Sequence, residues 1–131
     1  MNIVIFGPPG AGKGTQSGFI VKKFKLFQLS TGEILRNEIK NKTNLGNEIS
    51  SIISSGNLVS DEIVTKLIEK YISDLKFKNR IIFDGYPRTL SQAKNLQNLL
   101  NKYDQKIDIV LNLSVSLETI KKRIYERQIL E

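Results

Sequence analysis

The chain contains neither cysteine nor histidine among its 131 residues. The lack of cysteine excludes disulfide bonds, and the lack of both residue types excludes a zinc site of the usual kind. No stretch is long and apolar enough to cross a membrane, and residues 1–6 are too short and too uncharged for a signal peptide. We therefore expect a cytoplasmic protein, and its length suits one domain with a core of its own.

Positive charge is plentiful, since 20 Lys and Arg against 13 Asp and Glu give a net charge of +7. Such a balance suits nucleic acid or a polyphosphate. The lysines, however, are scattered along predicted helix faces, and no basic block is interleaved with aromatic residues. We therefore expect no nucleic acid as partner. We also expect a monomer without a membrane partner. Arginine is scarce, five residues against fifteen lysines, which gives more weight to each arginine inside a motif.

Residues 3–15 read IVIFGPPGAGKGT, an apolar run followed directly by a glycine-rich loop. The pattern predicts a buried strand that leads into a phosphate-binding loop, because glycines let successive backbone N–H groups converge on one anion. Lys13 adds a mobile positive charge. The general motif has Ser or Thr at position 14, whereas Gly14 stands there and Thr15 carries the hydroxyl. A glycine-rich turn without a ligand is the alternative interpretation.

Strand-like and helix-like segments alternate along the chain. Apolar runs predict strands over 2–6, 27–29, 80–84 and 107–113, and helical periodicity predicts helices over 13–24, 30–39, 45–54, 61–75 and 89–103, with another from 117. Residues 30–33 have the form of a capping box, and Ser60 is expected to cap a later helix. The first helix is expected to gather Phe19, Ile20 and Phe24 on one apolar face. This alternation predicts an α/β fold with a doubly wound parallel sheet, whose ligands bind beyond the carboxyl ends of its strands.

Four segments are more specific than the loop alone, namely GPPGAGKGTQ (7–16), LSTGEILR (29–36), NLVSDE (57–62) and FDGYPRTLSQA (83–93). In residue sequence, order and spacing they resemble the adenylate kinases. The resemblance implies a P-loop NTPase-like core over 1–131 that contains a mobile AMP-binding arm over 30–59. It also implies reversible transfer of the γ-phosphoryl group from ATP to AMP, giving two ADP, in adenine nucleotide homeostasis.

On the donor side, the resemblance assigns ATP binding to the loop and to two arginines near the end of the chain. These residues are Gly10, Ala11, Gly12, Lys13, Gly14, Thr15, Arg123 and Arg127. Lys13 would contact the β- and γ-phosphates. Arg123 would stack on the adenine, and Arg127 would touch the phosphates. Together with Arg88, these three are the expected catalytic residues.

On the acceptor side, the resemblance assigns AMP binding to Thr31, Arg36, Leu58, Val59, Gly85, Arg88 and Gln92. Arg36 and Arg88 would clamp the α-phosphate, because a planar guanidinium can bond two phosphate oxygens at once; a plain surface arginine is the alternative for each. Gln92 would read the adenine, but Thr89 and Gln92 also fit a capping box. Thr31 favours AMP, since UMP/CMP kinase relatives generally carry alanine there.

The implied chemistry needs no nucleophilic side chain, because the AMP phosphate itself attacks. Mg²⁺ is the implied cofactor. Asp84 would hold it through water, with Thr15 as a further candidate ligand, while a turn or capping aspartate is the alternative for Asp84.

Typical family members continue past position 131 with a lid, two further arginines, a fifth strand and closing helices. Within the resemblance, Gln128 stands where a second basic residue is usual. Without that part we expect almost no turnover, and an exposed edge at the fourth strand. Two other interpretations stay open: a UMP/CMP-type kinase, and a nucleotide-binding chain without catalysis.

Overall fold

Strands alternate with helices in the computed structural model of the chain, which describes residues 1–8, 11–114, 118 and 122. The strands are β1 (Ile3–Phe6), β2 (Phe27–Ser30), β3 (Ile81–Asp84) and β4 (Ile109–Asn112). The helices are α1 (Lys13–Phe24), α2 (Thr31–Lys40), α3 (Asn44–Ser54), α4 (Asp61–Ile72) and α5 (Leu90–Lys102). The predicted alternation is confirmed. Of the helix expected from residue 117, only positions 118 and 122 are among the described residues.

The four strands form one parallel sheet in the order β2-β3-β1-β4. The register pairs Ile5 of β1 and Ser30 of β2 with Asp84 of β3. It also pairs Phe6 of β1 with Asn112 of β4. The carboxyl ends of all four strands therefore lie at the same edge of the sheet. The loop after β1, the start of α2 and the turn after β3 meet at that edge, where parallel α/β sheets bind their ligands.

Helices cover both faces of the sheet, which confirms the doubly wound arrangement. Successive side chains of a strand point to opposite faces. Ile3 and Ile5 thus pack on one side with residues of α1, whereas Val4 and Phe83 pack on the other side with α2, α4 and α5. In the described part of the chain, no helix is long and apolar enough to cross a membrane.

The sheet leaves β4 poorly covered. Among the described strands β4 pairs only with β1, and Ile109 and Val110 expose 40% and 60% of their surface. This matches the exposed edge that was expected for the fourth strand. In α1, Phe19 and Phe24 are largely exposed, and only Ile20 of the predicted apolar face packs against the core. The predicted helix carries these residues, but both phenylalanines of the face remain exposed.

The helices begin where short polar side chains can accept a backbone hydrogen bond. Ser60 accepts one from Ile63 N–H at 3.3 Å, as predicted. The capping box over 30–33 is wrong: Ser30 is the last residue of β2, and its side chain makes no hydrogen bond to α2. Helix α4 ends at Ile72, before the predicted end, and a single 3₁₀ turn capped by Asp74 follows it.

Helices α2 and α3 pack with their backbones in contact. Gly46 of α3 is buried, and a Cβ atom built on it would overlap the carbonyl oxygen of Glu38 and lie 2.9 Å from the nitrogen of Ile39. Only glycine fits there without movement of one helix. Thr43, which caps α3 by accepting from Gly46 N–H at 2.9 Å, also donates its hydroxyl to the Glu38 carboxylate.

The Glu38 carboxylate joins this helix pair to α4. It is 4% exposed, and Lys70 of α4 donates to it at 2.7 Å. Burial acts to raise the pKa of Glu38, but the hydrogen bonds from Lys70 and Thr43 outweigh it, so the pKa lies below its ordinary value. A lowered carboxyl pKa means that this group stabilises the fold at neutral pH, and that the contribution is lost as the pH falls through the folded-state pKa.

Two glycine substitutions should change stability in opposite directions. Gly46→Ala should destabilise the chain by about 1–3 kcal/mol, the usual cost of forcing a methyl group into a packed site. Gly18→Ala should stabilise it by about 0.5–1 kcal/mol, because Gly18 lies inside α1 and a Cβ there would meet nothing within 4 Å. Urea unfolding of both variants measures the two free energies. Equal effects of the two substitutions would contradict the close approach of α2 and α3.

Candidate functional site

The glycine-rich loop ends in an open helix N-terminus. Gly12 is the N-cap of α1, with the left-handed φ of 84° that glycine tolerates, and it provides no side chain to cap the helix. The first turn of α1 contains no acidic residue. The N–H groups of this turn and the positive end of the helix dipole therefore form an environment that suits an anion. Ala11 is buried, whereas Gly14 and Thr15 are exposed.

Lys13 and Asp84 form an ion pair at the centre of this edge, with Nζ and Oδ1 2.7 Å apart. Lys13 is the first residue of α1 and Asp84 the last of β3, so the register that places β3 beside β1 brings them together. Their side chains are 28% and 13% exposed. The other carboxylate oxygen, Oδ2, accepts a hydrogen bond from Gln28 Nε2 at 3.0 Å.

Gln28 was not predicted from the sequence. It lies two residues before Ser30, the register partner of Asp84, and therefore projects from the same face of the sheet. The one sequence signal that pointed to it is a polar glutamine between the apolar residues Phe27 and Leu29 of the short strand β2.

The turn after β3 brings the predicted acceptor residues together. Gly85 has a φ of 81°, and its carbonyl oxygen accepts a hydrogen bond from Arg88 Nε at 2.8 Å. A Cβ atom at Gly85 would lie 3.2 Å from Arg88 Nη2 and 3.8 Å from Thr31 Oγ1. The start of α2 thus lies directly beside this turn, and the absence of a side chain at Gly85 keeps the space between Thr31 and Arg88 open.

The remaining acceptor residues lie on α2 and just before α4. Arg36 is exposed one turn into α2, and its Nη1 is 3.1 Å from the position that a Cβ atom of Gly32 would occupy. Leu58 is 93% exposed, while Val59 is half-buried and packs against the core. The side chain of Leu58 therefore has no packing role within the described residues, which leaves its backbone as the group with a defined position.

Both polar atoms of the Gln92 side chain make hydrogen bonds to the protein. Its Oε1 accepts from Arg88 N–H at 2.8 Å, and its own N–H donates to the Thr89 hydroxyl at 3.1 Å. This is the capping arrangement, with the glutamine reaching one residue beyond the N-cap. Its Nε2 also donates to Asp61 Oδ1 at 3.1 Å. Burial raises the pKa of the Tyr86 hydroxyl, which donates to the Gln92 carbonyl oxygen at 3.3 Å. Adenine reading by Gln92 stays a prediction.

A cleft of about 380 Å³ lies at this edge. It is lined by residues from the end of β1, the glycine-rich loop and the turn after β3, namely Ile5, Phe6, Gly7, Lys13, Gly85, Pro87 and Arg88. Two cations, Lys13 and Arg88, thus line one space, an arrangement that suits a phosphate group. A cleft of about 390 Å³ between β4 and α5 is mainly apolar, with Leu96 and Val110 in its lining, and has no such convergence of charge.

A comparison with known families decides the classification. The family model described as adenylate kinase matches residues 5–129.

The chain belongs to the adenylate kinase family.

Several proteins named adenylate kinase are similar to the chain. One from Pelagibacter ubique is 55% identical over 131 residues, which is all of this chain and 62% of that protein. One from Parabacteroides distasonis is 43% identical over 127 residues, covering 97% of this chain and 67% of its own length. One from Staphylococcus aureus strain Mu50 is 43% identical over 131 residues, again the whole chain and 61% of that protein. The chain thus spans about three-fifths of the length of most of these relatives.

Membership of the adenylate kinase family confirms the resemblance of the four motifs and the P-loop NTPase-like fold class. The structure brings Lys13, Asp84, Gly85, Arg88 and Thr31 to one edge of the sheet. Three predicted donor residues, Gly10, Arg123 and Arg127, lie outside the described residues. The roles assigned to all of these residues remain proposals.

Proposed function

We propose that the protein transfers the γ-phosphoryl group of ATP to AMP, giving two ADP, and catalyses the reverse reaction. The observation that carries this proposal is that Lys13 and Arg88, which belong to two different sequence motifs, line the same cleft. Lys13 belongs to the phosphate loop at the start of α1, and Arg88 belongs to the turn that contains Gly85 and lies beside Thr31 of α2. A donor phosphate on the first and an acceptor phosphate on the second would meet in that cleft.

On the donor side, the loop and the start of α1 would hold the ATP phosphates. The open N-terminus of α1 supplies N–H groups, and Lys13 supplies a charge that can follow the moving phosphoryl group. On the acceptor side, Arg36 and Arg88 would hold the α-phosphate of AMP. Thr31, Gln92 and the backbone at 58–59 and 85 would contact its base.

Catalysis in this arrangement rests on alignment and charge. The attacking oxygen belongs to the AMP phosphate, so the protein supplies no nucleophile. The cations around the cleft would stabilise the charge of the transferred group, and closure of the arm formed by α2 and α3 would exclude water.

The donor set at the sheet edge fits Mg²⁺. Magnesium in such sites is bound by one or two carboxylates together with substrate phosphates and waters. Asp84 provides one carboxylate, whose oxygens retain lone pairs beyond those used by Lys13 and Gln28. The Thr15 hydroxyl is exposed in the first turn of α1. Among the described residues no three acidic side chains cluster, so Asp84 and Thr15 would hold the ion together with ATP, where it supplies charge neutralisation at the phosphates.

A coupled assay on the whole protein tests the reaction. With ATP and Mg²⁺ present, we expect phosphorylation of AMP to be much faster than that of CMP, UMP or GMP, and we expect EDTA to abolish it. A preference for CMP or UMP would instead establish a UMP/CMP-type kinase. Binding of ATP and AMP without turnover by the whole protein would establish a non-catalytic role.

A further inference from the structure

Asp61 belongs to the base side of the site, although none of the motif arguments assigns it a role. It is the first residue of α4 and follows the segment 57–60 directly. Its Oδ1 accepts from Gln92 Nε2 at 3.1 Å, which links α4 to the start of α5. The backbone at 58–59 and the Gln92 side chain are two of the groups proposed to contact the base. Asp61 therefore fixes the position of the Gln92 side chain relative to the backbone at 58–59.

The two partners of the Gln92 side chain determine which way round its amide lies. The Asp61 carboxylate only accepts hydrogen bonds, so the atom facing it is the amide nitrogen. Arg88 N–H only donates, so the atom facing it, at 2.8 Å, is the amide oxygen. Rotation of the amide by 180° would place like groups opposite both partners. The assignment of O and N thus follows from the network and is not arbitrary.

This orientation leaves hydrogen-bonding capacity that matches adenine. A glutamine amide has two N–H donors and two oxygen lone pairs. Asp61 uses one donor, and Arg88 N–H uses one lone pair. One donor and one acceptor remain, the pair that glutamine uses to bond the 6-amino group and an adjacent ring nitrogen of adenine. Hypoxanthine presents an oxygen at position 6 and an N–H at position 1, and would require the opposite orientation.

We propose that Asp61 is a positioning residue for base selection, whose carboxylate holds the Gln92 amide in the orientation that accepts adenine and rejects a 6-oxopurine. The inference rests on the proposed function, because it assumes that AMP is the acceptor and that Gln92 meets its base. It adds a residue that acts through Gln92 and makes no contact with the nucleotide.

The network around Asp61 is built to hold it in place. Thr65, one turn later on α4, donates its hydroxyl to the Asp61 carbonyl oxygen at 2.6 Å. The same hydroxyl accepts from Asn95 Nδ2 of α5 at 3.3 Å. Two of these contacts, Gln92 to Asp61 and Asn95 to Thr65, therefore join α5 to the start of α4, and the third lies within α4. The carboxylate of Asp61 is the one charged acceptor among them, and charge-assisted hydrogen bonds are the stronger kind.

The test compares Asp61→Asn with Glu62→Gln by calorimetry on the chain, with AMP and IMP as ligands. Both substitutions remove one acidic charge from the first turn of α4, and Glu62 is exposed. An asparagine can donate or accept, so it no longer fixes the Gln92 amide. We expect the preference for AMP over IMP to fall about tenfold in Asp61→Asn, within the range of one bidentate base contact, and to stay unchanged in Glu62→Gln. ATP affinity should be unchanged in both.

The side-chain amide signal of Gln92 in a ¹H–¹⁵N spectrum gives a second readout without any nucleotide. It should shift in Asp61→Asn and stay in place in Glu62→Gln. An unchanged AMP preference and an unchanged Gln92 signal in Asp61→Asn would overturn the inference, as would equal effects of the two substitutions. Equal binding of AMP and IMP by the unaltered chain would overturn the acceptor assignment as well, and so separates failure of the proposed function from failure of this inference alone.

Discussion

Replacement of Arg88 by alanine should lower kcat/KM for AMP by about 10²–10⁴. The side chain lines the cleft beside Lys13 and is proposed to bond two oxygens of the acceptor phosphate. A hydrogen bond to a charged group contributes about 1.5–3 kcal/mol, so the loss of two corresponds to about two to four powers of ten. The backbone N–H of Arg88 stays in the variant and continues to donate to Gln92. The variant loses the hydrogen bond from Arg88 Nε to the Gly85 carbonyl, but the backbone contact to Gln92 should keep the turn anchored to α5 while the clamp is lost.

Arg80→Ala is the matched control for this loss. Arg80 directly precedes β3 and is exposed, whereas Arg88 follows that strand, so the two arginines lie toward opposite ends of it. Steady-state kinetics of the whole protein with AMP varied should show little change for Arg80→Ala. Losses of equal size in the two variants would mean that the arginine clamp is misassigned.

Lys13→Met should lower kcat by about 10²–10³, the usual effect of removing one preorganised donor from a developing charge. The Lys13 ammonium lies 2.7 Å from Asp84. It is thus already near the position from which it would meet the donor phosphates. Methionine keeps the length of the side chain and removes only the charge, so the loss should appear in kcat more than in the KM for AMP.

Lys22→Met provides the comparison, since Lys22 is an exposed lysine in the last turn of the same helix. Single-turnover measurements with ATP and AMP at saturation would separate chemistry from binding for both variants. A rate for Lys13→Met close to that of Lys22→Met would remove Lys13 from the proposed mechanism.

Local patterns were sufficient for much of the fold. Apolar runs place the four strands, and the parallel order follows from their alternation with helices. The predicted capping box fails because one residue has two local roles. Ser30 has the sequence of a helix cap but ends a strand. Phe19 and Phe24 are apolar at helical spacing, yet the described core does not cover them, because periodicity indicates which residues share a face and not whether a neighbour packs against it.

In the site, too, some residues can be predicted from a local motif and others depend on contacts between distant segments. The motifs alone predict Lys13, Asp84 and Arg88, since each lies at the end of a recognisable strand or loop. Gln28 and Asp61 could not be found in this way. Gln28 reaches Asp84 only through the pairing of β2 with β3, and Asp61 reaches Gln92 only through the packing of α4 on α5. Contacts between residues 56 and 31 positions apart depend on register and packing, which no single segment encodes.

The close approach at Gly46 also limits how α2 and α3 can move. Helices shear past one another when interdigitated side chains exchange neighbours, but here backbone rests on backbone with no side chain between. If the arm moves as proposed, the two helices would therefore move as one rigid unit, with bending confined to its ends near residues 30–31 and 55–60. Ten helical residues span about 15 Å, so a rotation of about 20° at the base would carry the tip about 5 Å. The Glu38–Lys70 ion pair connects this unit to α4. Such a rotation would have to stretch or break the ion pair, which therefore favours the arrangement seen here.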